Sequence, residues 1–351
     1  MSSFEYNALP GRVVFGAGKF ATLADEVTKL GVRNVLVICS SSQGDLAEQA
    51  ATLLGNKAVG IFARATMHVP VEIANEARNE AQRLKADCCL VIGGGSTIGL
   101  GKAIALESSM PVVAIPTTYS GSEMTPIWGL TENKVKRTGR DMRVLPKTVI
   151  YDPLLTLSLP AVISATSGIN AIAHCVEALY AEYANPVISL MCEEGIRALG
   201  QSLPAIVKEP DNVEARSQAC YGAWLAGIAL GSVGMALHHK LCHTLGGSFN
   251  LPHAPVHTVI LPHVTRYNEK AAPEAMARIA KALGTDDAAG GLFDLARSVG
   301  AKLSLQDLGM KESDLDKAAE LATTNAYYNP RPVTLVPVRA LLQSAWEGTR
   351  P

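Results

Sequence analysis

The stretch Leu90–Ala103, LVIGGGSTIGLGKA, decides how the rest of the chain is read. An apolar run of strand character enters Gly93, Gly94 and Gly95, and a helix-length apolar segment follows. Such a passage brings backbone N–H groups and a helix N-terminus to one point, where a phosphate can sit. Ser96 is expected to cap the helix, Thr97 adds a hydroxyl, and Lys102 lies nearby. The competing reading is a tight glycine turn without a ligand; the strand and helix on either side favour the phosphate site. The spacing departs from GxGxxG, because Ile98 takes the last glycine position, and the loop follows a late strand.

Outward from this loop, short β-branched runs alternate with amphipathic stretches up to about residue 150: NVLVIC, GDLAEQAATLLG, AVGIFA, EIANEARNEAQRLK, then PVVAIPTT. This alternation predicts βαβ units and a Rossmann-like parallel sheet. After TVIYDP the long segments SGINAIAHCVEALYAEY, VISLMCEEGIRALGQSL and SQACYGAWLAGIALGSVGMAL all have helical length and none resembles a strand. The expected architecture is an α/β nucleotide-binding domain over 1–152 and an all-α substrate domain over 153–351, divided at Asp152–Pro153, with catalysis in the cleft between them.

Hydrophobic residues make up 48% and charged residues 18% of the chain, which suits a compact enzyme and excludes a disordered protein. A formal charge of −1 and no Lys/Arg-rich block give nucleic acid or an anionic membrane nothing to hold. The longest apolar run, Ala223–Leu237, has 15 residues and is interrupted by Gly and Ser, too short to span a bilayer. Seven cysteines without a CxxC pair fit neither a disulfide framework nor a zinc ribbon, and a reducing cytoplasm is expected.

A second loop, IPTTYSGSEMTP, offers Thr117, Thr118, Tyr119, Ser120 and Ser122 at the end of a strand, where hydroxyls can bind ribose, pyrophosphate or the nicotinamide amide. It lacks the GxSxG frame of a hydrolase elbow. An early strand ends in Ser40, Ser41 and Ser42, with no carboxylate to repel a 2′-phosphate, so both NADH and NADPH are expected to bind. In the helical half Asn170 and His174 stand four residues apart, His239 and His243 repeat the spacing, and His253 follows a short loop. Histidine is both a common metal ligand and a proton carrier, so the clustering alone does not choose between those roles.

These residues resemble the iron-containing alcohol dehydrogenases, also called group III dehydrogenases. The resemblance rests on GGGSTIGLGKA, IPTTYSGSE, LPKTVIYDPLLTLSLP, the Asn170/His174 helix, the His239/His243/His253 triplet and YNPRPVT. It implies a dehydroquinate-synthase-like fold. In metal-bearing members an Asp and three His hold the ion, and the matching positions here are Asn170, His174, His239 and His253; His243 matches a further histidine beside the nicotinamide. Asn170 offers an amide where the family has a carboxylate, leaving no anion among the ligands to offset a divalent charge. That departure, with ALPGRVVFGAG and GRDMRVLPKTVIYDP, resembles the branch that works without metal and reduces the carbon–carbon double bond of maleylacetate to 3-oxoadipate in the degradation of aromatic compounds. The resemblance therefore implies NADH or NADPH as cofactor, no metal, and a small dicarboxylate as partner. His243 is expected as proton donor or oxyanion partner, with His174, His239 and His253 lining the site. Asn170, Arg143, His238 and Lys240 are candidates for contacting the substrate. A homodimer is expected. The alternatives are a metal-dependent alcohol or polyol dehydrogenase of the same fold, and a nucleotide-binding protein without catalysis.

Overall fold

The structure, a computed structural model, describes residues 4–9, 11–132 and 135–351. It divides into Leu9–Leu159 and Pro160–Pro351, with the residues before Leu9 grouped with the second unit.

The first unit carries strands β1 (Arg12–Phe15), β2 (Val35–Ile38), β3 (Ala58–Phe62), β4 (Cys88–Gly93), β5 (Val112–Pro116), β6 (Ile127–Glu132), β7 (Val135–Arg140) and β8 (Thr148–Tyr151). Helices α1 (Leu23–Lys29), α2 (Gly44–Leu54), α3 (Val71–Arg83) and α4 (Gly95–Ser108) lie between them. Six strands form one sheet in the order β1-β8-β5-β4-β2-β3, and every pairing in it is parallel. Burial explains the composition: β2, β4, β5 and β8 are buried throughout, and they read as continuous Val/Ile/Leu/Cys runs with little alternation. From β2 the chain moves outward to β3, then returns past β2 to β4 and proceeds the other way to β5. The direction reverses between β2 and β4, and this switch point is where open α/β sheets bind ligands at the strands' carboxyl ends. The two loops there begin at Cys39 and Gly93.

The hairpin of β6 and β7 lies outside the main sheet and was not foreseen. Both its strands are exposed or half-buried along their length, so no face had to be apolar and the alternation that marks a strand is missing. The unit boundary also falls later than Asp152–Pro153. The Asp152 carboxylate accepts the backbone N–H groups of Gly18 (3.0 Å), Phe20 (2.9 Å) and Leu154 (3.1 Å). Leu155 packs on the sheet core, so the turn after Asp152 stays with the first unit as far as Leu159.

The second unit contains α5 (Ala161–Ala178), α6 (Pro186–Lys208), α7 (Val213–Ser232), α8 (Leu237–Phe249), α9 (His253–Asn268), α10 (Pro273–Leu283), α11 (Ala288–Ser298), α12 (Leu315–Thr323) and α13 (Leu335–Glu347). Helix α5 is buried from Ser164 to Ala178, packed by α6, α7 and α9. Helices α8, α9, α12 and α13 share a second apolar cluster built on Leu241, Leu245, Ile260 and Leu342. No single helix among the described residues is long and apolar enough to cross a membrane.

Gly101 sets how closely α4 lies on the sheet, because a Cβ there would stand 2.3 Å from Val91 Cγ1. Val91 is a short, branched side chain with little freedom to move aside. Gly101→Val is expected to destabilise the protein by about 2 kcal/mol or more, read as a lower midpoint in denaturant unfolding.

Candidate active site

The glycine loop is built by conformation more than by side chains. Gly93 holds φ at +149°, and a Cβ on it would meet Thr97 Oγ1 at 2.7 Å. The turn is thus complete one residue earlier than expected: α4 begins at Gly95, Gly94 is its N-cap, and no side chain caps it. Ser96 sits within the first helical turn and is not the cap. The consequence favours an anion, since the first N–H groups of a 14-residue helix are not covered by a capping side chain. Gly94, Gly95 and Ser96 are partly exposed at this point, whereas Gly93 and Thr97 are buried.

The second loop packs against the first. A Cβ on Gly94 would lie 3.1 Å from Thr118 Oγ1, and one on Gly95 would lie 3.4 Å from Ser120 Oγ. Thr118, Ser120 and Ser122 are half-buried and accessible. Tyr119 has no exposed surface, so its ring supports the loop and does not offer a contact to a nucleotide. Thr117 is buried and its Oγ1 accepts Gln43 Nε2 at 3.0 Å. On the other side of the switch point, Ser40 and Ser42 join hydroxyls at 3.0 Å.

Lys102 does not reach for phosphate. Its fully buried ammonium donates to the carbonyls of Ser122 (2.6 Å), Thr125 (2.8 Å) and Ile127 (2.9 Å) and to Thr125 Oγ1 (2.9 Å). Burial pushes its pKa down to about 7, against the opposing pull of Glu123. Glu123, also buried, accepts Tyr151 OH at 2.7 Å and Ser120 Oγ at 3.3 Å, and burial raises its pKa. Through these hydrogen bonds Lys102 and Glu123 brace the second loop.

In the helical unit the expected histidines do come together. The rings of His174 on α5 and His239 on α8 stack with centroids 5.1 Å apart, and His239 lies 6.0 Å from His243. His257, one turn after His253 on α9, joins them: its centroid is 4.4 Å from His253, 4.9 Å from His239 and 4.8 Å from His238. The cluster is graded. His238 and His257 have no exposed surface, His174 and His239 retain 4% each, and His243 and His253 are exposed. Burial, followed by the charges of neighbouring histidines, holds His174 and His257 well below the usual imidazole range. The exposed edge is completed by Tyr327, whose OH is 3.3 Å from His243 Nδ1 and whose ring lies 5.7 Å from Lys240 Nζ.

One expected substrate contact is corrected. His238 is enclosed, its Nε2 donates to the His257 carbonyl at 3.1 Å, and burial lowers its pKa to about 4, so it presents no cation to a carboxylate. The guanidinium of Arg143, also expected there, is paired with Asp141, at 2.7 Å from Nη2 to Oδ2. Lys240 is half-buried, with its ammonium beside the Tyr327 ring.

Sequence reasoning missed His257 and Tyr327, and it missed Glu177, fully buried on α5. It accepts His239 Nδ1–H at 2.7 Å and the backbone N–H groups of His238 (2.6 Å) and Ala236 (2.9 Å). Burial works against its charge, yet the hydrogen bond from His239 and the neighbouring histidines outweigh it and hold the carboxyl below its usual range. Its position three residues after His174 and seven after Asn170 was the available signal, since that spacing shares one helix face.

At the positions that match the ligands of metal-bearing relatives, Asn170 Oδ1, His174 Nδ1 and His239 Nε2 are buried without a hydrogen-bond partner. His238, His239 and His257 also bring one nitrogen each within 4.8 Å of one another. Within that trio, however, His238 Nε2 and His239 Nδ1 already donate elsewhere. Imidazole nitrogens for a cation are present, but the charge balance of the family site does not fit: an amide replaces the carboxylate, and the nearby anion, Glu177, is taken up by His239 and two backbone amides.

Residues 10–153 match the family described as iron-containing alcohol dehydrogenase, and residues 164–346 match the C-terminal part of the Fe-containing alcohol dehydrogenase family. The maleylacetate reductase of Burkholderia cepacia is 57% identical over 351 residues, covering all of both chains. That of Pseudomonas sp. strain P51 is 55% identical over 349 residues, 99% of each chain. The crystal structure of maleylacetate reductase from Agrobacterium tumefaciens superposes with a TM-score of 0.97 at 52% identity, covering 100% of both chains. The chain belongs to the iron-containing alcohol dehydrogenase family.

Proposed function

We propose that this chain uses NADH or NADPH to reduce the carbon–carbon double bond of maleylacetate, giving 3-oxoadipate. The observation that carries the reading is the histidine cluster with an amide, Asn170, at its buried edge, in a chain that matches maleylacetate reductases along its whole length.

The substrate holds a double bond conjugated to a ketone, with a carboxylate at each end. Hydride from the nicotinamide adds to the carbon β to the ketone, the double-bond electrons move onto the ketone oxygen as an enolate, and a proton then joins the α carbon. NADH and one proton are consumed, and the ketone is restored. The α/β unit supplies the nucleotide cradle: the uncapped start of α4 for the pyrophosphate, and Thr118, Ser120, Ser122 and Ser40 for hydroxyl and amide contacts. The helical unit supplies the acid. His243 is the exposed ring in contact with Tyr327, and we assign it the proton donated to the α carbon or the hydrogen bond to the enolate oxygen. His174, His239 and His253 line the same surface, and a donor preorganised for an oxyanion is worth roughly 3 kcal/mol of barrier. Lys240 is the cation best placed to take one of the carboxylates.

We further propose that this chemistry needs no metal, on the ground that the donor set lacks the anion a divalent ion would require. Activity should persist in EDTA, and Asn170→Asp should raise affinity for a divalent cation and slow the metal-free reaction. Purification with one tightly held metal per chain, and inactivation by EDTA, would contradict this.

His243→Ala should lower kcat by about a hundredfold or more while NADH binding stays nearly intact, since a general acid acts in the transition state. Full kcat in that variant would move the proton source to another group. NADPH should support turnover within about tenfold of NADH, a difference of ~1.4 kcal/mol, because Ser40, Ser41 and Ser42 present no carboxylate to the 2′-phosphate. A thousandfold preference in kcat/KM would place the selection elsewhere.

A further inference from the structure

The hydrogen bonds around His239 fix more than its position. A carboxylate can only accept, so the 2.7 Å contact between His239 Nδ1 and Glu177 Oε2 puts the ring proton on Nδ1. The other nitrogen, Nε2, is then a bare acceptor, and it is buried without a partner. Glu177 cannot easily turn away, because its Oε1 accepts the His238 N–H at 2.6 Å and its Oε2 also accepts the Ala236 N–H at 2.9 Å. Those amides begin α8, whose N-cap, Ala236, has no capping side chain of its own. One carboxylate on α5 therefore caps α8 and orients the ring that α8 carries.

We propose that Glu177 is a positioning residue for the reduction, holding His239 in the Nδ1–H form so that Nε2 faces the reaction site as a hydrogen-bond acceptor. This rests on the reading of the histidine cluster as the proton-handling centre. It adds a division of labour within that centre. A ring locked as acceptor, with a carboxylate behind it, is the wrong group to bind a substrate carboxylate, which also only accepts. It suits a water or the N–H of a neighbouring ring. The dicarboxylate is thereby directed to the exposed edge at Lys240, His243 and Tyr327, while His239 and His174 form its inner wall.

The test begins with the wild-type protein and needs no substrate. Nitrogen-15 NMR of histidine-labelled enzyme at neutral pH should show His239 protonated at Nδ1, with that proton shifted downfield by the carboxylate. In Glu177→Gln the amide offers a weaker acceptor and must also set its NH₂ against a backbone N–H. The downfield resonance should be lost, and kcat should fall about tenfold or more, as for outer partners of functional histidines, with KM for NADH nearly unchanged. Glu177→Asp retains a carboxylate and should recover part of both signals; it also serves if the Gln variant does not fold. A wild-type His239 carrying its proton on Nε2 would overturn the proposal, and so would a Gln variant that loses the downfield resonance but keeps full kcat. An enzyme inert toward maleylacetate would overturn the functional reading alone, because the NMR result stands without it.

Discussion

Glu177 has no exposed surface, and its two oxygens gather the amide of Ala236, the amide of His238 and the ring N–H of His239. Charge-assisted hydrogen bonds of this kind are stronger than neutral ones, and a helix N-terminus favours the anion further. The rest of the candidate site depends on this contact. It joins α5, which carries Asn170 and His174, to α8, which carries His239, Lys240 and His243. Without the carboxylate, each buried N–H left unmade would cost about 1–3 kcal/mol, and the start of α8 would lose its cap.

The first unit uses the same physics with the anion left out. Its key feature is a helix start from which side chains are withheld: glycines bring the backbone close, no side chain among the described residues caps α4, and a nearby cation, Lys102, is enclosed by loop carbonyls. The start of α8 is thus closed by an internal carboxylate, whereas the start of α4 is left open at the switch point of the sheet.

What was legible in the sequence was what local periodicity encodes. The passage from β4 through Gly93–Gly95 into α4 could be read because strand, glycine and helix are contiguous, though the cap was assigned to Ser96 since the conformation of Gly93 cannot be seen in a string of letters. The i, i+4 histidines were legible for the same reason, and His257 carried an equal signal, one turn beyond His253. Glu177 was not, because two of its three strongest partners are backbone amides that leave no trace in side-chain pattern. His238 was misjudged because it adjoins His239, yet neighbouring residues on a helix point about 100° apart. It turns to the His257 carbonyl, while the His239 ring stacks on His174. The hairpin of β6 and β7, fully buried on neither face, had no apolar alternation to betray it.

The central claim is that hydride enters at the carbon β to the ketone, with a proton and not a metal completing the reaction. It is tested most directly by running the enzyme with maleylacetate and NADH deuterated at the transferred position, and locating the label in the product by NMR. The account predicts 3-oxoadipate with its ketone intact and one deuterium on the methylene β to it, formed equally in the presence of EDTA. Deuterium on a carbinol carbon, or a reaction abolished by the chelator, would contradict it.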